Sequence, residues 1–433
     1  MYSKEFLEFI NKSKTPFHAT CELANKLENN GFKRLLESNK WDIKLGGKYY
    51  VLKNDSSIIA FSVPTDLSDL SFNITASHTD SPTFKVKPNH TVETAAKTLG
   101  MHLEVYGGTI LSSWLDRPLS VAGRVVLREG ERLVSKLVDI NRPLCVIPNV
   151  AIHQNRSVND GYKYNPAVDM VALYGSKESK KLNDIVLDEL KVESKDVYGM
   201  ELYIYNFNRG TLFGSENEFV SAPQIDNLEC AYLSLEAFLQ SNNNNSCSVY
   251  CSFDNEEVGS GSKQGALSTF LIDVLSRLSN NLGLSEEELK VALAKSFMVS
   301  CDNAHATHPN QPGLCDSLNR VYMNEGIVIK TNANLSYTTD AISQALFTSI
   351  LDEANVKWQV FANRSDTRGG STLGHLSLSQ VSIDCIDIGL AQLAMHSSSE
   401  VCAVKDMKMM VEGLKAFYNK HLSKDSENNF IIK

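Results

Sequence analysis

Two histidines and several acids occur in one recurring context along this chain. His78 and Asp80 follow the strand-like run Phe72–Ser77, Glu256-Glu257 follows Ser248–Phe253, Asp302 follows Phe297–Cys301, and His396 closes the apolar run Ile388–Met395. Asp226 stands just before the helical pattern Asn227–Gln240. In open α/β sheets, ligands bind beyond the carboxyl ends of the strands, so groups far apart in sequence can converge there. A lone histidine after a strand is more often a hydrogen-bonded structural residue than a ligand. The pair Glu256-Glu257 demands more, because neighbouring carboxylates repel unless a cation or a shared proton compensates. It reads either as two solvated acids at a turn or as one metal ligand beside one general base. The small-residue turn Val258-Gly259-Ser260-Gly261-Ser262, which permits close approach, favours the second reading. A metal-bound imidazole usually donates its other N–H to a carboxylate or carbonyl, and Asp80 is placed to receive it from His78. The inventory His78, His396, Asp226, Glu257 and Asp302 is one short of six single ligands. If one carboxylate bridges, each of two metals gains three protein ligands, the open arrangement of catalytic zinc.

The elements that must position these groups alternate. Strand-like runs at Ser57–Val63, Phe72–Ser77, Ser248–Phe253, Phe297–Cys301 and Val381–Gly389 interleave with helix-like runs. The helical patterns are Ser3–Lys12, Thr20–Asn30, Asn227–Gln240, Thr269–Leu278, Ser285–Ala294, Thr339–Ala354 and Lys405–Lys420. That alternation predicts an α/β domain with a mixed, largely parallel sheet. The middle differs: Met101–Val105, Ser120–Leu127, Arg132–Asp139 and Leu202–Asn206 are short β-type runs separated by turns such as Gly107-Gly108 and Asn159-Asp160-Gly161. The expectation is an outer α/β domain from residues 1–90 plus 217–433, interrupted by a β-rich domain at 91–216. The Asn-rich patch Ser241–Ser246 reads as a solvated loop, and Ser423–Asn429 as a frayed end.

The chain has 433 residues with 42 basic and 51 acidic side chains, a formal charge of −9. That balance argues against general affinity for nucleic acid or anionic membrane. No run reaches the ~18 to 20 apolar residues of a membrane span. The first residues read as a short amphipathic helix with Phe6, Leu7, Phe9 and Ile10 turned inward, without the layout of a signal peptide. Nine cysteines, an odd number with scattered spacing and no C-x-x-C, suggest reduced thiols in a cytoplasmic protein. Cys247 and Cys251 are expected to share a core face.

The motifs resemble the aspartyl aminopeptidase family, zinc metallopeptidases with a co-catalytic metal pair, and in particular its bacterial-type members. The resemblance runs through nearly the whole chain. It includes Ser13-Lys14-Thr15-Pro16-Phe17-His18-Ala19, Ala76-Ser77-His78-Thr79-Asp80-Ser81-Pro82 and Lys85-Val86-Lys87-Pro88. Trp114-Leu115-Asp116-Arg117-Pro118-Leu119, Ala122-Gly123-Arg124-Val125 and Ile147-Pro148-Asn149-Val150-Ala151-Ile152-His153 match in the middle. Ile225-Asp226-Asn227-Leu228, Asp254-Asn255-Glu256-Glu257-Val258-Gly259-Ser260, Asp302-Asn303-Ala304-His305-Ala306 and Met395-His396-Ser397 follow. The resemblance implies an α/β metallopeptidase domain with an inserted dimerisation domain. It also implies His78, Asp226, Glu257, Asp302 and His396 as ligands of two Zn2+ ions, with Co2+ or Mn2+ as alternatives. In this scheme Asp226 bridges, His78 and Asp302 complete one site, and Glu257 and His396 complete the other. Asp80 orients His78, and Glu256 is the general base.

The family's substrates are peptides with N-terminal Asp or Glu, and Lys330, Tyr337, Gly369 and Gly370 fall at positions associated with substrate. Relatives assemble into large shells, often tetrahedral dodecamers, in which His153 would reach a neighbouring subunit's site and steady the developing oxyanion. Two segments depart from the family: Thr367-Arg368-Gly369-Gly370 stands where relatives show Pro-Cys-Gly, and Ser398-Ser399-Glu400 where many show an Arg-Glu pair. Neither removes a ligand or the base; both bear on side-chain preference, since Arg368 adds a cation and Ser399 removes one. The expected activity is therefore metal-dependent removal of N-terminal, acidic residues from peptides. The rivals are a carboxypeptidase or deacylase on the same scaffold, and a non-catalytic shell or cargo protein.

Overall fold

Phe72–His78, Cys247–Phe253 and Phe297–Cys301 are buried along their whole length, as strands covered on both faces must be. In the computed structural model, which describes residues 2–367 and 369–433, they form the middle of a nine-stranded sheet. Its order is Lys33–Leu35, Lys48–Lys53, Ser57–Ser62, Cys247–Phe253, Phe72–His78, Phe297–Cys301, Asp384–Gly389, Ile327–Thr331 and Trp358–Ala362. The strands from Cys247–Phe253 through Asp384–Gly389 run parallel, so their carboxyl ends share one edge. Ser57–Ser62 and Ile327–Thr331 flank them antiparallel. The class is thus mixed α/β, as the alternation predicts.

Helices cover both faces. Tyr2–Lys12, Pro16–Asn29, Ile225–Leu239, Ala341–Glu353 and Val404–Tyr418 pack on one, and Phe270–Asn281 and Glu286–Ala294 on the other. Local chemistry starts several of them: Ser285 with Glu288, and Asp340 with Ser343, form reciprocal capping boxes that satisfy otherwise unpaired N–H groups. In the first helix Phe6, Phe9 and Ile10 are buried, whereas Leu7 lies at the edge of the stripe and is only partly covered. Cys247 and Cys251 do share one core, and all nine cysteines are free thiols. The segment expected to fray instead pairs as a hairpin, Leu422–Ser426 with Asn429–Ile432, because Leu422 is buried and Phe430 packs edge-on against Phe297. Among the described residues no helix is long and apolar enough to cross a membrane.

A second, antiparallel sheet of six strands has the order Arg132–Asp139, Leu119–Glu129, Val197–Asn206, Thr83–Glu93, Thr98–Tyr106 and Ala172–Ser176. It carries its own core, including Phe84, Trp114, Val121, Ile147 and Ile204. The expected boundary after residue 90 falls inside Thr83–Glu93, the first strand of this sheet. Arg124 joins the two bodies: it donates to Asn54 O at 2.8 Å and to Glu201 Oε2 at 2.8 Å, and it lies 4.2 Å over the Phe17 ring.

Candidate active site

Four strand ends deliver the chemistry. His78 is the last residue of its strand, and Asp302 follows Phe297–Cys301 directly. After Cys247–Phe253, Asn255 adopts a left-handed conformation (φ 66°) and starts a single 3-10 turn, Glu256–Val258. That turn explains why two adjacent acids both reach the cleft: they no longer alternate as on a strand. Beyond Asp384–Gly389, the chain places His396 at φ 68°. At the end of that strand Gly389 lets the Asp302 main chain pack directly against it, since a Cβ there would overlap the Asp302 carbonyl. Asp226 enters from the start of the helix Ile225–Leu239, at a residue whose own dihedrals are non-helical.

The two oxygens of Asp226 face different imidazoles. Oδ1 is 3.5 Å from His78 Nε2, and Oδ2 is 3.4 Å from His396 Nε2. Asp302 Oδ1 lies 3.7 Å and Glu256 Oε2 4.0 Å from His78 Nε2, while Glu257 Oε2 lies 3.4 Å from His396 Nε2. His78, Asp226, Glu257, Asp302 and His396 therefore meet in one place, with Glu256 beside them. They line a cavity of about 330 Å³ together with Lys330, Tyr337 and Gly370.

Asp80 sits behind the metal-ligand candidates. His78 Nδ1 is 3.0 Å from the Asp80 main-chain oxygen and 3.4 Å from its carboxylate, so the carbonyl is the nearer orienting partner. The carboxylate accepts from the N–H groups of Glu256 and Glu257, at 3.1 and 3.2 Å, and from the Tyr106 hydroxyl at 2.7 Å. It thus fixes the turn that presents both glutamates. His153 is elsewhere: it is exposed, in a loop of the six-stranded body, and does not line the cavity of its own chain. Gly369 lines an adjoining cavity, Thr367 is exposed there, Arg368 lies outside the described residues, and Ser399 is half-buried with its hydroxyl 3.1 Å from that of Ser221.

Burial pushes the Glu256 carboxyl up to about 8 and Glu257 well above the carboxylate range, with Asp226 adding to the repulsion. Burial disfavours a charged His78, but the acidic side chains of Asp226, Asp302 and Asp80 around it outweigh that cost and raise its pKa. Asp226, also buried, is held low by the two imidazoles. Lys330 stays charged against the cost of burial, because Asp302 Oδ2 is 3.6 Å away; its ammonium also donates to Asn303 O at 2.9 Å. Four carboxylates line the cavity against this one ammonium, leaving −4 + 1 = −3 when the imidazoles are neutral. Such an excess calls for cations or protons. Asp226 Oδ1 is moreover buried without a hydrogen-bond partner. An orphaned carboxylate oxygen among imidazole and carboxylate donors fits a divalent metal of the zinc type.

Sequence reasoning missed the groups that hold these residues from outside. Buried Glu400 accepts from Asp226 N at 3.0 Å and His396 N at 2.6 Å, so one side chain sets two ligand candidates. Tyr106 and Gly107-Gly108 come from the six-stranded body. Gly108 O lies 3.2 Å from His396 Nδ1, and a Cβ on Gly108 would come within 3.3 Å of that same nitrogen. The only signals in sequence were the Gly-Gly pair itself and the persistence of Glu400 after the altered Ser399.

The chain is similar to known proteins in both sequence and fold. The family model described as Aminopeptidase I zinc metalloprotease (M18) matches residues 9–418. A protein of Clostridium novyi (strain NT) named Probable M18 family aminopeptidase 2 is 44% identical over 427 residues, covering 96% of this chain and 98% of that one. A chain in the cryo-EM structure of the Ape4 and Nbr1 complex superposes with a TM-score of 0.92 at 35% identity, over 96% of this chain and 84% of that one. The S. cerevesiae mApe1 dodecamer gives 0.83 at 26% identity, over 96% of each chain. The chain belongs to the M18 family of metallopeptidases and is an aminopeptidase.

Proposed function

We infer that this protein removes acidic N-terminal residues from peptides with the help of two divalent metal ions, Zn2+ in the first instance. The observation that carries the reading is Asp226, whose two oxygens face His78 on one side and His396 on the other. His78, Asp226 and Asp302 would hold one ion, and Asp226, Glu257 and His396 the other. When bound, such ions lower the pKa of a water and polarise a carbonyl.

The remaining work falls to the chain. Glu256 Oε2, beside His78 but not facing His396, takes a proton from the attacking water and returns it to the leaving amine. Asp80 keeps that carboxylate in place through the Glu256 and Glu257 N–H groups. The acidic lining receives the free amine of the substrate, which restricts cleavage to the chain end. Lys330, buried and charged at the cavity wall beside Tyr337, supplies complementarity to an acidic first side chain, with Gly369-Gly370 flanking. The chain divides into an outer catalytic body and the inserted six-stranded body, which serves association between copies. A shell of many copies, as in the mApe1 dodecamer, would bring His153 to a neighbour's site. Nine free thiols support a reducing, cytoplasmic setting.

The test is a panel of X-peptide substrates assayed on metal-stripped protein reconstituted with each metal. Turnover of Asp and Glu above Leu and Lys, restored by two equivalents of zinc, is expected. Activity that survives blocking of the N-terminal amine would favour a deacylase or carboxypeptidase instead.

A further inference from the structure

A second cavity, of about 280 Å³, opens beside the first, and the two share His305, Phe361, Gly370 and Met395 as a common wall. None of the metal-ligand candidates and neither Glu256 nor Lys330 lines it. Gln392 does, and it is only 1% exposed. Its main chain is engaged, pairing with His305 in a short parallel ladder and accepting from Ala306 N at 2.8 Å. Its side chain is not: neither the amide nitrogen nor the amide oxygen has a hydrogen-bond partner. Asn363, on the same wall, also keeps its Nδ2 unpaired. A buried primary amide with donor and acceptor both unmet is costly, and such groups need an account.

The chemistry that answers them is narrow. Among the described lining residues the one guanidinium, Arg364, is paired with Asp366 at 2.6 Å, and Asp316 adds a carboxylate, so these residues offer an anion no free cation. Leu314, Phe361, Leu393 and Met395 give it apolar walls. A peptide unit carries one N–H and one C=O, the complement of a free primary amide. An aminopeptidase substrate extends only one way from its scissile bond, because the first residue ends in the metal-side cavity.

We propose that the second cavity is the subsite for the peptide segment after the scissile bond, with Gln392 pairing with a substrate main-chain amide and Asn363 donating to a carbonyl. This rests on the aminopeptidase reading above. It is tested with two substrates that share the fastest-cleaved first residue X: the p-nitroanilide X-pNA and the tetrapeptide X-Ala-Ala-Ala. The readout is the ratio of their kcat/KM values. Wild type is expected to favour the tetrapeptide. Gln392→Met, which keeps the length and removes the amide, lowers that ratio by roughly three- to tenfold, the range of a lost neutral hydrogen bond. Asn363→Ala lowers it as well. An equal loss on both substrates marks Gln392 as merely structural and overturns the proposal. So does an unchanged ratio, which leaves the amide to water, or a change in first-residue preference at constant ratio, which gives the cavity to the first side chain. Wild-type hydrolysis of X-pNA reports on the aminopeptidase reading independently; if neither substrate is cleaved, both fail together.

Discussion

Glu256 and Glu257 are chemical twins one residue apart, and their surroundings separate them. Glu257 lies 3.4 Å from His396 Nε2, whereas Glu256 approaches only His78, at 4.0 Å. Replacing Glu256 by Gln keeps size and hydrogen bonding but removes the proton acceptor. We predict that kcat falls by roughly 10²- to 10⁴-fold with metal content near wild type. Glu257→Gln exchanges an anionic donor for a neutral amide, so one metal should be lost selectively and excess zinc should restore part of the activity. Metal analysis with peptide kinetics decides; a fully active Glu256→Gln protein sinks the assignment. Glu400 does not line the cavity and makes a different prediction. It accepts from the N–H of both Asp226 and His396, and a Gln there can accept only one of them while turning a donor toward the other. Zinc affinity, measured by chelator competition, should drop roughly 10- to 100-fold, the usual effect of losing a group that orients metal ligands. An unchanged affinity would make Glu400 a mere filler.

Strand ends explain why much of this site could be read from the sequence. The runs Phe72–Ser77, Ser248–Phe253 and Phe297–Cys301 were legible because strands covered on both faces carry no charged residue, and the ionisable residue that follows each marks the exit. Trp358–Ala362 was not legible, since an edge strand that is half-buried has neither alternation nor a full apolar run. Ile327–Thr331, though buried, is short and holds the charged Lys330. Tyr106, Gly108 and Glu400 escaped for another reason: each works partly through a contact between segments roughly 150 to 290 positions apart, such as Asn255 Nδ2 with Tyr106 at 3.0 Å, Asp226 N with Glu400 or Gly108 with His396. The same scale governs how the two bodies are held. Arg124 spans them, and Glu201, though burial opposes its charge, is kept low by Lys85 and Arg124. Arg124→Ala should cost about 1 to 2 kcal/mol, the middle of the range for charge-assisted bonds once partial exposure of Glu201 is allowed for. The pH dependence follows from the sign. A carboxyl whose folded pKa lies below its ordinary 4.5 stabilises fully above that value and loses the contribution as pH falls through the folded pKa. The gap in Tm between wild type and Glu201→Gln should therefore be full at pH 7 and close below about 4.5. A gap that stays constant as the pH falls from 7 into the acid range where wild type unfolds would contradict the ion pair.

At the scale of the whole molecule, the stretch around His153 presents apolar groups that a lone copy leaves in water. Val150, Ile152 and Val168 are 52%, 47% and 70% exposed, and all lie within twenty residues of His153. Large apolar residues left this exposed in one stretch of the chain are consistent with a surface that another copy covers. His153 itself is exposed and does not line its own chain's cavity, so a catalytic part for it would be played in a neighbour. Sedimentation should accordingly give a mass well above two subunits for active protein. A stricter test combines two defective variants. His153→Ala and Glu256→Gln are each expected to have low activity when expressed alone. In a mixed assembly, a subunit carrying His153→Ala keeps its own Glu256 and can receive His153 from a Glu256→Gln neighbour. Such a site is complete, so co-expression should restore activity that neither variant has and that simple mixing of the preformed assemblies does not. If the co-expressed protein assembles yet shows only the sum of the two residual activities, His153 does not act across the interface, and the oxyanion must be held by groups of the same chain.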